Sequence, residues 1–201
     1  MVVELGDLMG VSMAGTIMPR IQIKDGDDTE GCMKKVLVPK AISNGRVNHE
    51  DVAEYLIKKD AGLGRMTVVD DIVIKLTTPY ECALITMEDE DLIVPSYCMI
   101  LREFDTEKVD LDYLVGYLNT EYAKAQFSAG VAAATNSMLK MKDVQAIKVP
   151  LPPLEKQKRL GRLYRLSAEK QIILKKMLGN EMKLTNSLIT TAAVEEMQDE
   201  Q

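Results

Sequence analysis

Tryptophan is absent from this 201-residue chain, and aromatic residues of all kinds make up only 4% of it. The chain nevertheless has thirteen methionines and an apolar content of 46%. Because aromatic residues are so few, a folded core has to be built mostly from aliphatic side chains. This apolar content is typical of a globular protein and argues against general disorder, because disordered chains cannot bury enough apolar surface to fold.

Cysteine and histidine are also scarce. Cys32, Cys82 and Cys98 are odd in number and widely spaced, without a Cys-x-x-Cys pair. The spacing argues against a disulfide framework or a zinc site and favours free thiols in a reducing cytoplasm. A nucleophilic Ser/His/Asp or Cys/His site would have to use the single histidine, His49. We interpret His49 as an exposed turn residue instead.

Several motifs of common enzyme and membrane classes are missing. No apolar run approaches the ~20 residues that cross a bilayer, and the N-terminus has no basic segment before an apolar one. Gly62 and Gly64 follow a charged segment where a dinucleotide fingerprint requires a strand. The acidic run 88–91 fits a solvated hairpin tip better than a cation site. The sequence therefore predicts no catalytic site, no bound cofactor, no metal site and no membrane association.

Charge is distributed unevenly along the chain. Residues 1–150 carry 16 Lys and Arg against 24 Asp and Glu, a net charge of −8, whereas residues 151–201 carry 9 against 7. The acidic part is unfavourable for nucleic-acid binding, since phosphate contacts need Lys and Arg. It does not exclude binding, because local patches steer ligands even on a protein of opposite net charge.

Short apolar segments alternate with turns over the first 150 residues, which predicts an α/β (α+β) domain. We expect a loop over 11–33, a strand at 36–38, a turn at 43–46, a helix over 49–59, strands within 66–76, 82–87 and 92–101, a helix over 112–127, a loop over 128–136, a helix over 137–144 capped by Ser137, and a strand at 146–149.

A proline-rich junction follows that last strand. Pro150, Pro152 and Pro153 prevent the strand from continuing, and their fixed φ suits the first turn of a helix. No proline occurs after Leu154, so we predict one long helix of about 65 Å and two domains, 1–150 and 151–201. Its apolar stripe is too long for a domain of 150 residues to cover, which predicts an antiparallel coiled-coil partner. The candidate dimerisation residues are Leu160, Tyr164, Leu174, Met177, Leu178, Leu184 and Leu188.

Several short motifs succeed one another along nearly the whole chain. They are Leu5–Leu8, Val38–Gly45, Asp70–Lys75, Ile93–Ser96, Tyr113–Thr120 and Ile147–Gln157. The last, with its Val-Pro-Leu-Pro-Pro-Leu-Glu-Lys-Gln core, is the most specific, and the others carry weight through their order. In this order they resemble the specificity (S) subunit of type I restriction–modification systems.

The resemblance implies a target-recognition domain that reads one half of a split DNA site, followed by a spacer helix. It implies double-stranded DNA and a methyltransferase subunit as partners, with a restriction/translocase subunit as a further one. S-adenosylmethionine is then expected on the methyltransferase subunit. The usual S subunit carries two such units in tandem, whereas this chain has one. That difference implies a half-subunit that forms a homodimer and reads a symmetric, interrupted sequence, or a relative with another role.

The residues that carry suitable chemistry for DNA contact lie in the predicted loops. Arg and Asn side chains read guanine and adenine edges, and Lys and Thr bind phosphates. The candidates are Lys40, Asn44, Arg46, Arg65, Lys75, Thr77, Thr78, Tyr80, Thr135 and Asn136. Each of these positions is equally consistent with a turn or capping role. The basic start of the long helix fits DNA, an acidic partner subunit, or a solvated face.

A second hypothesis from a different class remains open. The chain would keep the fold and the helix but lack DNA binding, and would act as a modulator that engages the methyltransferase subunit. The net charge of −8 over residues 1–150 favours it.

Overall fold

The computed structural model describes residues 1–24, 29–59, 61–132 and 138–199. Its contacts divide into two units, Met1–Arg165 and the remainder from Leu166. The first unit is the predicted α/β (α+β) domain, and it includes the first three turns of the long helix.

The strands are β1 (Val2–Glu4), β2 (Met9–Ala14), β3 (Gly31–Val36), β4 (Ile42–Ser43), β5 (Arg46–Val47), β6 (Ala53–Lys58), β7 (Ile72–Lys75), β8 (Cys82–Leu84), β9 (Cys98–Phe104) and β10 (Lys148–Pro150). The α-helices are α1 (Met18–Ile21), α2 (Leu111–Leu118), α3 (Glu121–Ala132), α4 (Met141–Gln145) and α5 (Leu154–Asp199).

A four-stranded antiparallel sheet in the order β2-β9-β7-β8 forms the centre of the domain. Every residue of β7 is buried because both faces of the sheet are covered. Ile72 and Ile74 pack with Leu114 and Phe127 on the side of the helices. Val73 points to the opposite side, into a second cluster that includes the region of the β4–β5 hairpin.

Smaller pairings complete the domain. β1 pairs with β10, which brings Val3 opposite Val149. β3 pairs with β6 over six residues to form a separate two-stranded ribbon. β4 and β5 form the hairpin predicted at 43–46, with Asn44 and Gly45 both at positive φ (52° and 77°). Asn-Gly provides these conformations readily, so the turn prediction is confirmed.

The helix predicted over 49–59 is wrong. A short 3-10 turn covers His49–Asp51, and Ala53–Lys58 forms strand β6. The apolar spacing of so short a segment fits both structures, and pairing with a distant strand decides the outcome. The loop predicted over 11–33 is also wrong, because this range contains most of β2 and the start of β3. Here too, pairing with distant strands decides the structure.

The helix predicted over 112–127 is divided into α2 and α3 at Asn119. Asn119 caps α2 and uses its side-chain amide to bind Cys82, accepting from the backbone N–H at 3.1 Å and donating to the carbonyl at 3.0 Å. α3 continues through residues 128–132 of the predicted small-residue loop. α4 begins at Met141 with Lys140 as its N-cap, and the predicted cap Ser137 lies outside the described residues.

The acidic run 88–91 is only partly solvated, contrary to the prediction. Asp89 is 3% exposed and accepts hydrogen bonds from the backbone N–H and hydroxyl of Thr86, at 2.9 and 2.6 Å. His49 Nε2 lies 2.9 Å from Asp89 Oδ1, with the His49 side chain about half exposed. The single histidine therefore links the turn at His49–Asp51 to the turn that contains Asp89.

The three thiols differ sharply in exposure, which gives a testable pH dependence. Cys32 is exposed, whereas Cys82 and Cys98 are buried. Burial raises the pKa of Cys98 to about 12 and raises that of Cys82 further. In the unfolded chain both thiols ionise near their ordinary value of 9.0, so stability is retained below pH 9 and falls above it.

We expect the free energy of unfolding to be a few kcal/mol lower at pH 10 than at pH 8, since each buried thiol contributes about 1 kcal/mol per pH unit above its unfolded pKa. Urea unfolding at the two pH values under reducing conditions measures this difference. The double variant Cys82→Ala/Cys98→Ala should lose most of it. An unchanged difference in that variant would assign the alkaline instability to other groups.

Candidate nucleic-acid interface

Three of the predicted DNA-contacting residues are engaged inside the domain. Arg46 donates from Nη2 to Asp112 Oδ1 at 2.8 Å, and its side chain is only 15% exposed. Lys75 is buried and donates to Glu81 Oε2 at 2.6 Å. Tyr80 is a core residue whose ring centroid lies 5.9 Å from that of Phe127. Their predicted role in reading DNA is not supported by these positions, since each side chain already has a partner.

The other predicted residues lie at the surface of several turns. Lys40 is exposed and pairs with Asp51, and Arg65 is exposed and donates to the sulfur of Met13 at 2.9 Å. Thr77 and Thr78 occupy the turn after β7, with Thr78 exposed. Asn44 lies at the tip of the β4–β5 hairpin. The predicted contacts Thr135 and Asn136 lie outside the described residues.

A buried glutamine attaches the start of α5 to the domain. Gln157 is 1% exposed, and its Nε2 donates to the carbonyls of Lys108 and Pro152 at 3.0 and 2.9 Å. Its Oε1 accepts from the N–H of Asp110 at 3.1 Å. Since all three bonds join one side chain to backbone groups, the first turn of α5 has a fixed position on the domain.

Tyr164 continues this attachment two turns further along α5. Its ring packs against Gly45 at the tip of the β4–β5 hairpin and against Gly116 in α2; a Cβ at Gly116 would lie 2.8 Å from Tyr164 Cγ. Burial raises the pKa of Tyr164 to about 12. The ring therefore belongs to the core of its own domain, and the sequence-based assignment of Tyr164 to a dimer interface is not supported.

A shared carboxylate completes the junction. Asp112 receives Arg46 on Oδ1 and Arg165 on Oδ2, the second at 3.2 Å. The β4–β5 hairpin, α2 and α5 thus meet at one charged group that is mostly shielded from solvent. Arg46 acts as a structural residue here.

The opposite side of α5 carries an apolar stripe. By helical spacing, it faces away from the side of the helix that carries Gln157, Gly161 and Tyr164. We call it the outer stripe; its residues are Leu163, Leu166, Ile173, Met177, Leu184 and Leu188. Each of these six side chains is between 47% and 66% exposed. The predicted residues Leu160, Leu174 and Leu178 are also exposed and flank the stripe.

Polar positions interrupt the outer stripe in a regular way. Leu163, Met177 and Leu184 share a seven-residue spacing with Lys170, and Leu166 and Ile173 share one with Asn180. A seven-residue apolar repeat with occasional Lys or Asn is typical of a helix that packs in a two-stranded coiled coil, where the polar residues select one register.

Sequence reasoning missed the exposed face of the β3–β6 ribbon, because one strand was predicted as loop and the other as helix. This face carries Met33 and Leu56 directly opposite each other, with Lys35 and Lys58 beside them. The alternation in Ala53–Lys58, with Tyr55 and Ile57 inward, was the available signal.

None of the described helices is both long and apolar enough to span a bilayer. Within the described ranges no group of three or more His, Cys, Asp or Glu side chains is arranged to hold a metal ion.

Comparison with known proteins gives structural and family matches. The HsdS subunit from Thermoanaerobacter tengcongensis is similar with a TM-score of 0.61 and 18% identity, over 96% of this chain and 48% of that one. A chain from a structure of type I R-M complex assembly and conformational transition has a TM-score of 0.61 and 19% identity, over 97% and 48%. The type I S subunit from M. genitalium gives 0.55 and 15%, over 90% and 42%.

The chain thus spans about half the length of the solved structures that it matches. Because the sequence identities are below 20%, these matches establish the fold alone. No curated protein sequence matches it. The family described as "Type I restriction modification DNA specificity domain" matches residues 1–176, which is most of the chain and includes the domain, the proline junction and the first half of α5. The chain therefore belongs to the type I restriction–modification DNA specificity family.

Proposed function

We propose that this chain is the non-catalytic DNA-recognition subunit of a type I methyltransferase complex and that two copies pair through α5. The observation that carries the proposal is the outer stripe, on a helix whose first three turns are fixed to the domain by Gln157 and Tyr164. Exposed apolar side chains at seven-residue spacing favour a helical partner, and a second copy supplies an identical stripe.

Pairing of two copies would impose symmetry on the DNA site. Each domain would read one half-site, and the paired helices would hold the two halves at a fixed distance. The expected target is a two-fold symmetric sequence with an unread interval. Lys156, Arg159 and Arg162 are exposed on the same side of α5 as the outer stripe but precede its first leucine, so they would meet phosphates at the ends of the helix pair.

The family supports the remaining partners. The methyltransferase subunit would bind S-adenosylmethionine and carry out the methyl transfer, while this chain would supply the sequence preference and hold no cofactor itself. A restriction/translocase subunit would join the same assembly. One of the similar structures concerns the assembly of a type I R-M system, and that similarity supports the proposal of a multi-subunit complex.

A modulator that engages the methyltransferase without binding DNA is the second candidate. Two observations favour it. Residues 1–150 have a net charge of −8, and Arg46 and Lys75 are both neutralised by internal carboxylates. Such a protein would reduce methylation by a complete complex instead of supporting it.

Methyl transfer by the reconstituted complex distinguishes the two candidates. We expect the methyltransferase subunit of the system to label duplex DNA with S-adenosylmethionine only when this chain is present. Footprinting of the same complex should show two protected half-sites. Methylation that is independent of the chain would refute the recognition role, and methylation suppressed by added chain would establish the modulator.

A further inference from the structure

The β3–β6 ribbon has one buried and one exposed face. Val36 and Ile57 are fully buried and pack with Ile93 beneath the ribbon. On the other face Met33 is 60% exposed and Leu56 is 41% exposed, and the register places them directly opposite each other. This apolar cross-strand pair therefore faces solvent and takes no part in the core, and its meaning depends on the charged residues around it.

Lysines border this apolar pair on both sides. Lys35 follows Met33 on the same face of β3, and Lys58 lies opposite Gly31 on the same face of β6. Among the described residues neither Lys35 nor Lys58 forms an ion pair. Lys34, which lies on the other face of β3, forms none with the described residues either. Glu54, opposite Lys35, is the one carboxylate on either strand. The ribbon is thus locally basic within an acidic domain.

The position of Arg65 extends the basic character beyond the ribbon. Ile93 N–H donates to the carbonyl of Lys35 and Val94 N–H donates to the carbonyl of Arg65, both at 2.9 Å. The segment Ile93–Val94 therefore lies between these two basic residues, which places their backbones about 10 Å apart. Arg65 is exposed.

We propose that the exposed face of the β3–β6 ribbon enters the major groove of double-stranded DNA and reads part of the half-site. This inference rests on the proposed function and identifies the element that performs it. Lys35 and Lys58 would bind phosphates, and Met33 and Leu56 would contact thymine methyl groups. Glu54 would accept a hydrogen bond from a cytosine amino group.

The shape and chemistry of the ribbon support DNA over a protein partner. The major groove is about 12 Å wide and admits a two-stranded antiparallel ribbon. A six-residue strand is about 20 Å long, which spans several base pairs. An apolar centre between lysines matches thymine methyl groups between two phosphate backbones. A protein surface complementary to the same face would need carboxylates on both sides of an apolar patch.

The salt dependence of binding tests the phosphate contacts. The probe is a short duplex of random sequence, titrated with the full-length chain at several salt concentrations. We expect Lys35→Ala and Lys58→Ala each to reduce the slope of log K against log salt by about 0.9, since each removes one phosphate contact. Lys142→Ala is the matched control, because Lys142 is an exposed lysine on α4, outside the ribbon. It should leave the slope unchanged.

Crosslinking gives a direct measurement on the exposed face with the variant Cys32→Ser/Met33→Cys, because Met33 lies on that face whereas Cys32 pairs with the inward Ile57 on the other. Cys82 and Cys98 are buried and do not compete for the reagent. A photo-crosslinker attached to the thiol at position 33 of this variant should form a covalent product with the duplex. The control protein carries the crosslinker on α4, as Cys32→Ser/Lys142→Cys, and should give little product.

The outcomes separate the ribbon from the wider proposal. DNA binding with unchanged slopes and no crosslink from position 33 would overturn the ribbon assignment and leave the recognition function intact. When the methyltransferase subunit is added to the same reaction, a crosslink from position 33 to that subunit in place of DNA would overturn the assignment in favour of protein docking. Failure of the wild-type chain to bind any duplex at low salt would overturn both.

Discussion

Replacing Met177 and Leu184 with glutamate is expected to convert the proposed dimer into monomers. Both side chains belong to the outer stripe, lie seven residues apart and are about 60% exposed in a single chain. Burying one such side chain contributes about 2 kcal/mol, and a dimer would bury four of them. Their loss, with four unpaired carboxylates added, should raise the dimer Kd by more than a thousandfold. Sedimentation equilibrium measures this change.

Lys175→Glu/Lys183→Glu is the matched control for that pair. Lys175 and Lys183 are exposed on the same helix but lie on other sides of it than the outer stripe. The control changes the net charge by more than the Met177→Glu/Leu184→Glu pair does. The protein should nevertheless still sediment with the mass of a dimer. If both double variants stay dimeric, α5 pairs through another face; if the wild-type chain is monomeric at micromolar concentration, the pairing proposal fails.

Gly116→Ala is expected to weaken the attachment of α5 to the domain. Alanine normally stabilises a helix relative to glycine by about 1 kcal/mol. Here the new Cβ would lie 2.8 Å from Tyr164 Cγ and 3.2 Å from its Cβ, so the ring has to move. We expect a net loss of about 1–3 kcal/mol in the free energy of unfolding, measured by urea denaturation.

Gly179→Ala is the control, because nothing lies within 4 Å of a Cβ placed there. Gly179→Ala should raise the free energy of unfolding or leave it unchanged, whereas Gly116→Ala should lower it. Combining Gly116→Ala with Tyr164→Ala removes the colliding ring, so the two losses should be less than additive. Full additivity would show that Tyr164 and Gly116 do not meet.

The α5 helix was predictable from the sequence because its signals are local. Pro150, Pro152 and Pro153 end a strand, and the absence of proline after Leu154 leaves a helix uninterrupted. The Asn44-Gly45 turn is local in the same sense. Strand β6 has only a short alternation as its local signal, and pairing with β3, which is about 20 residues away in the sequence, decides that this segment is a strand.

The candidate site was predicted less well for a related reason. The sequence identifies Arg46 as a cation, but its ion pair with Asp112, which is 66 residues away, is not visible in the sequence. Similarly, the spacing of apolar residues on α5 predicts a stripe. Which side faces the domain depends on Tyr164 fitting against Gly45 and Gly116, and neither contact is visible in the helix sequence.

Mapping the methylated sites produced by the complex tests the central claim most directly. If two copies of this chain read DNA together, the methylated motif should be interrupted and two-fold symmetric. The monomeric Met177→Glu/Leu184→Glu variant should lose methylation at that motif. An asymmetric motif, or the same symmetric motif methylated by the monomeric variant, would contradict recognition by a pair of these chains.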